Sequence, residues 1–391
     1  MSNQIESVAI QSTPTELVAK WLLNSQIQNS QPNPKFKGGM HAWFDQDTKS
    51  YSFLYSEITG YSINAFLFLY HLLNEKRFLN KAEEAAAWLI NVAYQPKSGV
   101  QTKFPNSENK ESYFESWTFT FDNWIVAYGL ANLFEVSRKN KYLEVAVDIA
   151  DFLLSKTQTE IGMFYPVYNI QAKKPETTYD KWSRQPGSFH AKALLALLKL
   201  NKITNEKRYH LAAEKLALAV LTIQQPNGRF ITHDQSGSTL LHPHLYTLEG
   251  LAAFGFAKEN FQIVESVQKG IEWVLKNQNS DGSIYCFFEN GSFRPYIRAD
   301  ILAQTLRMGS ILVSHGHFLR YKQSLNRLRN CLITYQVKSG PQTGGYLYGQ
   351  EENGKVHNHV NSWVSMFAAQ ALAIHDSFLV DNRPYHFDFF V

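Results

Sequence analysis

The sequence predicts an all-α chain wound into a closed double ring of six helical hairpins, and three observations predict it. Six stretches share one plan, a polar head running without a break into an apolar helix. Six amphipathic helices alternate with them, each ending on apolar residues and a Gln. A Gly-containing turn and a short aromatic piece then lead into the next apolar helix. A helix that is apolar all round belongs in an interior. The simplest arrangement that buries six of them sets them parallel in an inner ring, with the amphipathic helices antiparallel outside.

Taken in order, Thr13 and Thr15 flank Pro14 ahead of the first outer helix, whose stripe of Leu17, Trp21 and Leu22 ends near Gln26. A loop rich in Pro, Lys and Gly closes on Gly38–Phe44 before the first inner stretch, Tyr55–Tyr70 (YSEITGYSINAFLFLY). The other inner stretches are Glu115–Glu135, Pro186–Leu200, His242–Ala257, Arg294–Val313 and Asn358–Phe378. Between them, Lys76–Ala93, Lys139–Leu154, Glu206–Val220, Phe261–Leu275 and Phe318–Ile333 carry the charged faces of a solvent-facing ring. The Gln-marked ends fall at Gln26, Gln95, Gln158, Gln225, Gln278 and Gln336, spaced 53 to 69 residues apart. So regular a repeat argues for one domain over residues 1–391, with a toroidal core over about 12–378 and an aromatic tail, 379–391, docked against the outside of the ring.

Composition narrows the function. A net charge of +4 with scattered Lys and Arg argues against a nucleic-acid protein and suits an anionic small or polymeric substrate. Aromatic residues make up 14% of the chain, which fits a large core or a cleft where sugar faces stack on rings. Cys286 and Cys331 stand far apart without metal-ligand spacing, so neither a disulfide framework nor a metal site is expected, and a reducing compartment is. With no basic, apolar leader and no apolar run long enough to span a bilayer, the expectation is a cytoplasmic protein not inserted in membrane. Phosphate-binding, dinucleotide-binding and HExxH motifs are missing, and no cofactor is called for. Oligomeric state is left open.

The inner-helix starts should all lie at one rim, where free N–H groups and helix dipoles favour anions. That rim gathers the candidate catalytic residues Glu57, Tyr61, Asp122 and His190. The expected substrate contacts are His41, Trp43, Glu115, Trp117, Arg184, His244, Arg294, Tyr296, Arg298, Asp300, Asn358 and Trp363. Asp122 and Asp300 sit inside apolar helices, where an ionised carboxylate is costly unless paired. Arg184, Arg294 and Arg298 suit two-point contact with a uronate carboxylate. Trp43, Trp117 and Trp363 suit stacking. Sugar chemistry uses such assemblies: glycosidases need two carboxyl groups in different protonation states, and uronate epimerases or lyases need a base and an acid on opposite faces of one carbon.

The six-fold alternation of Gln-ended helix, Gly-aromatic turn and polar-headed helix resembles the (α/α)6 toroid of the six-hairpin glycosidase superfamily. Within it, SEITGY and PGSFHAKALLALLKL resemble exopolysaccharide-biosynthesis proteins of the VpsJ type. They are also similar to the C-terminal toroid of heparosan-glucuronyl 5-epimerases. That resemblance implies acid–base roles for Glu57 and Tyr61, because tyrosine and carboxylate residues of the toroid cleft are catalytic in those epimerases. Unsaturated glucuronyl hydrolases, with paired aspartates in a lone toroid, have loose analogues in Asp122 and Asp300. The expected function is therefore a carbohydrate-active enzyme on an anionic saccharide in polysaccharide biosynthesis or modification, epimerase-like or hydrolase-like. Its rival is a non-catalytic glycan-binding or scaffold protein with the same cleft.

Overall fold

A computed structural model describes residues 12–106, 116–381 and 385–391. It is an (α/α)6 toroid. The inner ring consists of α2 (Ser56–Leu73), α4 (Thr120–Ser137), α6 (Leu194–Thr204), α8 (Leu241–Ala257), α10 (Ala299–Ser314) and α12 (Ser362–Asp381). The outer ring consists of α1 (Pro14–Asn24), α3 (Lys76–Trp88), α5 (Asn140–Lys156), α7 (Lys207–Leu221), α9 (Phe261–Leu275) and α11 (Lys322–Thr334). Each inner helix packs on the next, and α12 packs on α2 and α1 to close the ring.

Local sequence explains the elements. Thr13 caps α1 in a reciprocal box with Glu16, just ahead of Pro14. Inner helices turn into outer ones through residues in the left-handed region, Asn74, Arg138 and Asn205. In α8 every residue from Leu241 to Gly255 is buried, as a helix apolar all round requires. The third inner helix starts as a 3₁₀ turn, Ser188–Ala193, so its head does not keep α-helical periodicity.

The Gln-marked ends have a structural explanation. Gln278 donates from one amide nitrogen to the carbonyl of Gly282 in its own turn (3.1 Å) and to that of Ser324 on the next outer helix (3.0 Å). Gln158 does the same with Gly162 and Ala212, and Gln336 with Gly344 and Pro14. The residues that serve at the first and fourth ends are Gln28 and Gln224, not the expected Gln26 and Gln225. The second junction is built differently, with Tyr94 and the Lys97 amide both donating to Asp148. These clasps tie each outer helix to its neighbour around the ring. Gly282 belongs to one: its φ of +91° suits glycine, and a Cβ there would sit 2.3 Å from the Arg327 carbonyl oxygen.

Rim loops carry short antiparallel strands. Trp43–Asp45 pairs with His359–Asn361, Trp43 opposite Asn361, so the first and last rim loops join and close the ring a second time. Tyr285–Glu289 and Ser292–Arg298 form a hairpin above α10. The aromatic tail departs from its expected place on the outside. Phe390 and Val391 are fully buried, and the segment Tyr385–Val391 enters the middle of the ring at the end opposite the rim. The cause is chemical, because unmet polar groups on the axis, described below, find their partners in this segment.

Gly250 of α8 packs directly on the turn before α6, where a Cβ would lie 1.8 Å from the Ala191 carbonyl oxygen. Gly250→Ala should therefore destabilise the ring by about 1–3 kcal/mol through overpacking. Chemical denaturation measures this, and an unchanged midpoint would contradict the contact.

Candidate functional site

Three inner helices show the same spacing toward the axis. His242, Tyr246 and Glu249 on α8, Asp300, Gln304 and Arg307 on α10, and Trp363, Phe367 and Gln370 on α12 each fall at i, i+4 and i+7, one helical face. Glu57 and Tyr61 on α2 begin the same stripe. In ring order α2 and α8 are first and fourth, hence opposite. Tyr61 and Tyr246 meet near the axis, with stacked rings 6.4 Å apart. Phe367 is set edge-on to both.

Below this pair lies a buried ionic centre. Lys192 reaches the Glu249 carboxylate at 2.6 Å and the Val391 carbonyl at 2.9 Å. Arg307 donates to the same carboxylate and to Gln370 (2.8 Å). The two cations hold Glu249 below the usual carboxylate range against the opposing effect of burial. Lys192 lies over the faces of Tyr61, Tyr246 and Phe390, and Arg307 over Phe367 and Phe390.

Above the pair lies the rim. Gln304 bridges the two levels: its amide nitrogen faces Glu249 at 3.4 Å, so its oxygen faces His242 Nδ1, at 2.7 Å. That places the proton on Nδ1 and leaves Nε2 as the basic nitrogen. Burial pushes His242 down to about 4, although Asp300 opposes it, so the ring is neutral at pH 7. Asp300 accepts both Arg298 and the Trp363 indole (3.1 Å), and Arg298 holds it below its usual range. Across the ring, burial pushes Glu57 up to about 7. Glu57, Asp122, Lys103, Lys181, Trp182 and Arg184 line a cavity of about 80 Å³ at the rim. Trp182 covers it, set edge-on to Phe189 and His242, 5.1 and 5.9 Å away, and in contact with Tyr246.

Of the expected site residues, Glu57, Asp122 and Arg184 line this cavity, Tyr61 stacks on Tyr246 next to Trp182, and Arg298, Asp300 and Trp363 form a second group that meets the first through His242 and Trp182. Trp117 joins them beneath the Arg184 guanidinium. Trp43 and Tyr296 stand at the rim, Trp43 stacked on His359 and Tyr296 edge-on to His357.

Other expected residues lie elsewhere. His190 packs against Phe164 and Phe189, and neither ring nitrogen has a hydrogen-bond partner in the surrounding core. His244 points toward the outer ring, accepting the Phe230 amide and packing on Trp273. His41 bonds the Ser52 carbonyl and stacks on Tyr51, away from the basin. Arg294 pairs with Glu289 on the exposed hairpin, and Asn358 with Asp47 on the surface. Arg298 is committed to Asp300 and is not a free clamp. Glu115 lies outside the described residues. The sequence places His242, Lys192 and Trp182 among the polar heads and rim loops without marking them as site residues, and it does not single out Gln304, Arg307 or Gln370. A search for i, i+4, i+7 polar stripes would have found the α8 and α10 members. Among the described residues no group of three His, Cys, Asp or Glu side chains is placed to hold a metal ion, and no helix is long and apolar enough to cross a membrane.

Two outcomes follow from the electrostatics. Glu249→Ala leaves two buried cations without their carboxylate and should cost about 3–5 kcal/mol in denaturant unfolding, more than Glu249→Gln. Because the folded state binds the Glu57 proton more tightly than the unfolded chain, its contribution to stability is complete below about pH 4.5 and is lost as pH rises through about 7. Unfolding free energy measured from pH 4 to 8 should show that loss, and Glu57→Gln should remove it.

No protein-family model matches the chain, and no curated protein matches it. Solved structures do. Cellobiose 2-epimerase from Bacillus thermoamylovorans is 12% identical with a TM-score of 0.72, covering 92% of this chain and 98% of its own. A D-mannose isomerase is 12% identical with a TM-score of 0.73, covering 95% and 100%. Unsaturated glucuronyl hydrolase from Bacillus sp. GL1 is 14% identical with a TM-score of 0.65, covering 94% and 97%. At such identities the likeness shows the shared (α/α)6 fold.

Proposed function

We propose that the protein is a carbohydrate-active enzyme, an epimerase or isomerase that moves a proton at a sugar carbon next to a carbonyl or carboxylate. The observation that carries this reading is geometric. Glu57 on α2 and His242 on the opposite helix α8 both border Trp182, Glu57 within the cavity that Trp182 lines and His242 edge-on to it at 5.9 Å. Burial favours a protonated carboxyl on one and a neutral imidazole on the other. His242 Nε2 takes the proton from one face of the carbon. Protonated Glu57 returns one from the other face, which inverts the centre, and solvent exchange resets both groups. The negative charge that develops between these steps meets Tyr61 and Tyr246, with the Lys192 charge behind them. These proton transfers need no cofactor.

Lys103, Lys181 and Arg184 on the cavity wall support an anionic saccharide. Ligand sites usually enclose about 300–1,000 Å³, so a sugar enters this 80 Å³ cavity by displacing Trp182 and taking its place against Tyr246. The names of the structural neighbours and the resemblance of SEITGY to 5-epimerases and exopolysaccharide proteins support sugar epimerisation within polysaccharide assembly in the cytoplasm. A hydrolase is the second reading, favoured by Glu57 and Asp122 lining one cavity.

Incubation with mono- and oligosaccharides, neutral and uronate, in deuterated water should show deuterium entering one sugar carbon by NMR. His242→Ala and Glu57→Gln should each slow exchange by about 10²–10⁴-fold, while His244→Ala leaves it within a few-fold. Release of reducing ends that depends on Asp122 would favour the hydrolase instead. Saccharide binding without exchange or cleavage would establish the non-catalytic rival.

A further inference from the structure

The segment Tyr385–Val391 contacts all six inner-helix units; on α8 its Phe387 stacks on Phe256, with ring centroids 6.1 Å apart. Phe389 stacks on His71 of α2, and Tyr128 of α4 donates to the Phe387 carbonyl and accepts the Phe390 amide. Lys199 of α6 reaches Asp388, and Lys192 in the turn before it reaches the Val391 carbonyl. Ser314 of α10 accepts the Tyr385 amide, and Gln370 of α12 bonds both the Phe389 carbonyl and the Val391 amide. The Phe390 ring lies 4.7 Å from the Lys192 ammonium and 4.0 Å from the Arg307 guanidinium.

We propose that this segment is a positioning element for the basin, seating the Lys192 ammonium beneath Tyr61 and Tyr246 so that its charge bears on Glu57 above. A backbone oxygen such as that of Val391 and an aromatic face both favour a charged ammonium over a neutral amine. Burial works the other way and pushes Lys192 down to about 7, so the seat decides how much charge remains there. Glu57 is faced by Tyr55, Tyr61, Lys103, Asp122, Lys192 and Tyr246, with Lys181 and Arg184 across the cavity. Of the cations, Lys192 lowers the Glu57 proton affinity most, ahead of Lys103. The consequence for catalysis rests on the proton-transfer reading above; the electrostatic link does not.

The test is a ¹³C NMR titration of the Glu57 carboxyl in the full chain, with the resonance assigned by its loss in Glu57→Gln. Lys192→Met should raise the midpoint. Phe390→Ala should raise it in the same direction, by about 0.5–1 in pKa, because the ammonium loses its seat. In a Lys192→Met background, Phe390→Ala should add nothing further. Phe390→Leu keeps most of the packing without the ring face and carries the test if the alanine variant does not fold. A wild-type midpoint in the Phe390 variants, or an equal rise with Lys192 already removed, would overturn the proposal. No substrate is needed, so shifted midpoints without deuterium exchange in any of these proteins would defeat the proton-transfer reading alone.

Discussion

A carboxylate on the axis of a helical ring stays ionised only where cations reach it, and Glu249 is reached by two, from α10 and from the turn preceding α6. The rest of the interior follows from that requirement. The charge of the two cations is also spread over aromatic faces from three helices and the Tyr385–Val391 segment, and over the Gln370 side-chain oxygen and a Val391 backbone oxygen. Without those partners the burial penalty would exceed the attraction within the ion group.

The consequences rise through the ring in layers. Glu249 orients the Gln304 amide, the amide fixes the proton on His242 Nδ1, and the imidazole presents its other nitrogen as a neutral base. Asp300 is occupied by Arg298 and Trp363, which keeps it ionised and limits its role to orientation. Glu57 has no such salt bridge at comparable strength, and burial dominates its proton affinity. Asp300, fully buried, is the one held ionised, and Glu57, only partly buried, is the one whose proton affinity rises, because of what stands beneath and beside each.

The ring was legible in the sequence because uninterrupted apolar helices with polar heads have few ways to be buried. The faces of those heads were less so. His244 lies two residues from His242, roughly 200° around the helix, and only His242 shares a stripe with Tyr246 and Glu249. His190 falls in a 3₁₀ turn, where α-helical periodicity gives no guidance. Lys192 is legible as part of the polar head of the third inner helix, but its partner Glu249 comes from another helix and is not. Trp182 sits on a loop, where no period applies. The Gln signature was visible but misaligned at Gln26 and Gln225, because the residue that serves is the one whose amide reaches two carbonyls, one of them on a helix distant in sequence.

The two ends of the toroid do different work for a reason of connectivity. Inner-to-outer turns are short, and at the far end the Tyr385–Val391 segment fills the centre beside a cavity of about 730 Å³ that Lys199, Phe256, Lys258 and His315 line with it. Outer-to-inner connections are long and arrive at helix N-termini, where dipoles add to Lys103, Lys181 and Arg184. Positive potential therefore reaches the basin from above through the rim and from below through Lys192 and Arg307. In the proposed reaction, a negative charge developing on a sugar between Glu57 and His242 would lie between these two sources, with the tyrosine pair separating it from the lower one. The lower source stays fixed only while Glu249 and the buried segment hold it.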